Sequence, residues 1–163
     1  MPPPSMPLLL HSVRENRWFK EDAAPWLERG DVPADAVSDL RTTGNELSVW
    51  ELESDRSNLK RIVCALALGR SEITASGYVV FDSAPLAGID IGISAEKPGG
   101  TPDKGANKWH RDLTNLSGNK LVALTRAILQ HGDTGTVLKK EIQEQIQLGI
   151  REKHLPDKFK DRA

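Results

Sequence analysis

One stretch, Ser57 to Asp82, limits what this chain can fold into more than any other. Leu59, Ile62, Val63 and Leu66 recur at helical spacing, and Ile62-Val63-Cys64-Ala65-Leu66-Ala67-Leu68 carries no charge anywhere round its circumference. A helix that is apolar on every side has to be covered on more than one. After Gly77, the run Tyr78-Val79-Val80-Phe81 has the length and the aromatic and β-branched content of an inner strand, and it stops at Asp82. The expected scaffold is a buried central helix packed on a sheet.

The rest of the pattern supplies partners for that unit. Strands are expected near 8–13, 46–53, 77–82, 89–94 and 108–113, the fourth from the alternation of Ile89, Ile91 and Ile93 with Asp90, Gly92 and Ser94. Short helices are expected from 23 to 29 and from 34 to 40. A longer one follows Ser117 as N-cap and closes at Gly132. In a last helix, capped by Thr134 or Thr136, Leu138, Ile142, Ile146 and Ile150 recur every four residues. The class is α+β: a single domain with a small mixed or antiparallel sheet, a buried central helix and two C-terminal helices. Its expected limits are 8–155, after a flexible leader at 1–7 and before a frayed tail at 156–163. Within it, 97–107 has no periodicity and several glycines and prolines, the mark of a mobile or functional loop.

Charge narrows the function classes. Lys+Arg 22 against Asp+Glu 23 leaves a net charge of -1, which gives no general attraction to nucleic acid or to acidic membranes. Cys64 is the one cysteine, so neither an internal disulfide nor a cysteine-based zinc framework is available, and the thiol lies in an apolar helix where it is inert. A cytoplasmic protein without membrane span, cofactor or metal is expected.

His110 and Asp112 are the leading candidates for catalysis. On a strand they project together, and a carboxylate beside an imidazole can orient it and raise its basicity for acid–base work. Asp82, at the end of a hydrophobic strand, is a possible third group, as is His11. A binding pocket for an anion could be built from His11, Arg14, Arg17, Trp18 and Arg111. Two further motifs are incomplete. Gly100 to Gly105 has the glycine spacing of a phosphate-binding loop, but Ala106 and Asn107 stand where its lysine and hydroxyl belong. Glu96-Lys97 lacks the intervening residue that would put an acid and a lysine on one strand face.

Two functions are compatible with these residues. The first is a small non-catalytic domain acting through protein partners or self-association, using the narrow stripe Leu138, Ile142, Ile146 and Ile150. The second is an enzyme acting on a nucleotide or phosphoester, with His110 as acid–base, Asp112 as its orienter and Arg14 or Arg111 on the anion.

Overall fold

The structure is a computed structural model that describes residues 6–14, 18, 30–95 and 97–163. Within these, six strands form one sheet: β1 (Leu8–Val13), β2 (Leu47–Leu52), β3 (Ser76–Asp82), β4 (Gly92–Ile93), β5 (His110–Thr114) and β6 (Asp133–Val137). Their order is β4-β5-β2-β1-β3-β6, and every pairing is antiparallel. Five helices accompany it: α1 (Ala34–Asp39), α2 (Leu59–Ala67), α3 (Ala84–Gly88), α4 (Gly118–His131) and α5 (Lys139–Arg151). The architecture is α+β.

The helices sit on both sides of the sheet. On one face Leu10, Trp50, Leu52 and Val80 pack with Ile62, Val63, Cys64 and Ala67 of α2 and with Ile142 and Ile146 of α5. On the other face Leu9, Val13, Val49, Val79 and Phe81 meet Ala36 of α1, Leu86 of α3 and Leu124 and Ile128 of α4. The period-2 alternation of the strands produces this division, because neighbouring residues in each strand supply opposite cores. The charge-free run of α2 from Ile62 on is covered as its sequence demands, by the sheet beneath and by α5 beside it.

Several segments depart from the sequence reading. Residues 89–94 pair only at Gly92 and Ile93. Pro85 sits in the first turn of the short helix α3, Asp82 Oδ1 accepts the Ala84 amide at 2.8 Å, and Asp90 turns the backbone at φ 58°. Thr134 and Thr136 cap no helix; they lie in β6, the edge partner of β3, where Gly135 leaves room for the Tyr78 ring. Glu141 takes over the cap of α5, its carboxylate accepting the Leu138 amide at 2.9 Å. Residues 157–162 form a 3-10 turn that buries Phe159, with Arg162 donating to the carbonyls of Leu68 and Arg70, in place of a frayed tail. The helix expected over 23–29 lies outside the described residues.

The stripe on α5 is also reassigned. Ile142 and Ile146 are both 0% exposed and face α2, so they belong to the protein's own core, with Ile150 packed at its margin; Leu138, 58% exposed, stays outside. Burying each isoleucine contributes roughly 1.5–3 kcal/mol. A four-residue repeat of isoleucines serves an internal neighbour as well as an external one, and the internal neighbour is the apolar outer side of α2.

Candidate functional site

α2 ends at Ala67, and beyond that end the sheet face it covers carries polar groups. The register sets them side by side: Ser48 of β2 pairs with Asp112 of β5, and Trp50 with His110. Ser48, Trp50, His110 and Asp112 therefore project to one side. His110 and Asp112 are buried, and Ser48 is exposed.

His110 is held from three directions. Its ring meets Trp50 edge to face, with centroids 5.1 Å apart and planes at 67°. Gly99 closes over it so tightly that a Cβ there would stand 3.2 Å from His110 Cβ and 2.5 Å from Trp50 Cη2. Nδ1 lies 2.7 Å from the Lys97 carbonyl oxygen. That oxygen can only accept, so Nδ1 carries the proton and, in the neutral ring, Nε2 is the acceptor. The Ser48 hydroxyl, 3.1 Å from Nε2, is placed to donate to it.

Asp112 completes the cluster. Its Oδ1 is 3.4 Å from both Ser48 Oγ and His110 Nε2, and Oδ2 is in ionic contact with Lys97 Nζ at 2.6 Å. Lys97 also reaches Glu46 at 3.5 Å. Hydrogen bonding to Asp112, and then its charge, raise the pKa of the Lys97 ammonium above the usual lysine value. The hydroxyl is thus held against a base of fixed tautomer, and any imidazolium formed at Nε2 has a carboxylate beside it.

The segment 97–107 frames this arrangement. Thr101 donates both its amide and its hydroxyl to Asn107 Oδ1, and Asp103 forms a two-pronged pair with Arg61 of α2 at 2.7 and 2.8 Å. Burial pulls the Asp103 carboxyl up, but Arg61 and the Ala106 amide together outweigh it and hold the group below the usual carboxylate range.

The remaining candidates fall elsewhere. His11 lies on the opposite face, its Nδ1 2.8 Å from the Ser48 carbonyl and its Nε2 3.1 Å from the Asp39 carbonyl. Burial pushes its pKa down, more than those two carbonyls raise it. Trp18 is buried and donates from Nε1 to Asp39 Oδ2, Arg14 is exposed, and Arg17 lies outside the described residues. Arg111 is on the His11 face, 3.1 Å from Glu51. The structure thus brings His11 and Trp18 together at an acidic residue, Asp39, and places Arg111 against an acid of its own. Asp82 is three strands from His110, roughly 14 Å at ordinary strand spacing, and is used to hold the start of α3. The Cys64 thiol is buried, and that burial pushes it up to about 12.

Ser48 was not among the residues singled out from sequence, and Lys97 was considered there only in the incomplete Glu96-Lys97 motif, not as a partner of Asp112. Ser48 had a signal, a small hydroxyl in an otherwise apolar face of Trp50 and Leu52; Lys97 had none, since it reaches Asp112 from a loop. Among the described residues no three metal-ligating side chains converge. Cavities of about 650, 630 and 370 Å³ open on other parts of the surface. The chain matches no protein-family model, no curated protein and no solved structure.

Proposed function

We propose that the protein is an ester-cleaving enzyme in which Ser48 is the nucleophile and His110 the general base. One observation supports this reading above the others: an exposed serine hydroxyl 3.1 Å from the Nε2 of a buried histidine whose Nδ1 is committed to a carbonyl. As Ser48 Oγ bonds to the ester carbonyl carbon, its proton passes to His110 Nε2. His110 then protonates the departing alkoxide as the C–O bond breaks, leaving Ser48 acylated. Water attacks the acyl group and gives a proton to His110, which passes it to Ser48 Oγ as the C–O bond breaks, and the carboxylic acid leaves and ionises in solvent. Asp112 would stabilise the transient imidazolium at Nε2, and Lys97 would hold the Asp112 carboxylate in place.

The local charges favour a carboxylic ester over the phosphoester considered from sequence. A transferring phosphoryl group spreads its charge over three oxygens and calls for several uncommitted cations. Here Lys97, the cation in contact with the cluster, is engaged by Asp112 and Glu46. The test is labelling with a fluorophosphonate followed by intact-mass measurement, beside hydrolysis of p-nitrophenyl butyrate and of bis(p-nitrophenyl) phosphate. A single adduct on Ser48, lost in Ser48→Ala and slowed about 10²- to 10⁴-fold in His110→Ala, is expected, with turnover of the butyrate. An unlabelled Ser48 in folded protein would overturn the proposal, and turnover of the phosphate alone would overturn the substrate class. Labelling failure would favour the other reading, a non-catalytic protein working through partner contacts, whose specific support is the exposure of Leu138 at the start of α5.

A further inference from the structure

A cavity of about 630 Å³, with none of Ser48, His110 and Asp112 in its lining, opens between the end of α5, the turn that follows it and the loop 102–105. Its walls combine apolar side chains, Ile150, Leu155, Pro102 and Pro156, with three cations, Arg61, Lys104 and Lys153. We propose that this cavity binds an amphipathic monoanion, specifically an aliphatic carboxylate whose chain lies on the apolar wall and whose head sits between Lys104 and Lys153.

The wall is rigid where the head would bind. Lys153 is fixed at φ 62° in the turn that closes α5, its amide bonded to the Ile150 carbonyl at 3.1 Å, while the amides of His154 and Leu155 bond to the Gly149 carbonyl. Gly149 is needed there, because a Cβ would come within 2.8 Å of Leu155 Cδ1. Those bonds also occupy helix-end carbonyls that would otherwise repel an anion. Neither Lys104 nor Lys153 has a side-chain partner among the described residues. By contrast, the third cation on the wall, Arg61, is neutralised by Asp103, and the acid there, Asp157, lies 3.4 Å from Lys160. The uncommitted charge is therefore positive and confined to one rim, and the volume falls within the range of small-molecule sites.

Isothermal titration calorimetry with sodium decanoate below its aggregation concentration tests this, with sodium acetate as the head group alone. The expected result is saturable one-to-one decanoate binding, no detectable acetate binding, and at least about tenfold weaker decanoate binding in K104E/K153E, both positions being exposed. Ser48→Ala should bind as the parent does, which separates this site from the ester-cleaving one. Absence of saturable decanoate binding, equal affinity in K104E/K153E, or acetate binding as tightly as decanoate would each overturn the proposal.

Discussion

Two buried histidines grip the same residue from opposite sides of the sheet, and they are in opposite chemical situations. His11 has both ring nitrogens against backbone carbonyls in a closed core, those of Ser48 and Asp39, and the neutral ring donates to one of them. His110 spends one nitrogen on backbone and turns the other toward the hydroxyl of Ser48, which is open to solvent. Burial and hydrogen bonding are common to both. What distinguishes the proposed base from a structural histidine is the accessibility of the group on its second nitrogen.

This contrast can be broken experimentally. The largest effect should come from exchanging the two roles: His110→Ala should reduce ester turnover about 10²- to 10⁴-fold, whereas His11→Asn, in protein that remains folded, should leave it within a few-fold. Equal losses from both would erase the distinction. Next in size is the support of His110. Gly99→Ala introduces a methyl group against Trp50 and His110, and should lower stability by roughly 1–3 kcal/mol in urea unfolding and slow Ser48 labelling with it. Lys97→Met removes the cation in contact with Asp112, so labelling should slow and its pH profile move; an unchanged profile would remove Lys97 from the argument.

The smallest effect concerns pH and separates the histidines by stability. Burial keeps the folded His11 imidazole below its free value of 6.5, so as pH falls the unfolded chain takes up the proton first. Stability should be level above about 6.5 and decline below it. In His11→Asn that step should be missing, which melting temperatures measured at pH 7.5 and 5.5 would show.

Much of the scaffold can be read directly from residue order. The all-apolar circumference of 62–68 demands cover on several sides, and the Tyr78 to Phe81 run demands an inner strand; both are found where those demands place them. β6 was hidden because Thr134, Gly135 and Thr136 have little apolar content and threonine is equally suited to a helix cap. His110 and Asp112 could be paired from strand alternation alone. Their third member could not, because Ser48 is 62 residues from His110 and reaches it only through the register of β2 against β5. The stripe on α5 was visible but ambiguous: periodicity shows which side of a helix is apolar, not whose surface it meets.

The position of β1 has a consequence for how the molecule comes together. Among the described residues it is the first strand, yet it lies between β2 and β3 and is the one strand that hydrogen-bonds a β4-β5-β2 half to a β3-β6 half. Each half would expose a long open edge until this strand docks. Trimming 6–13 should therefore leave two incompatible ribbons prone to mutual aggregation, whereas deleting the terminal turn at 157–162 should remove only a brace.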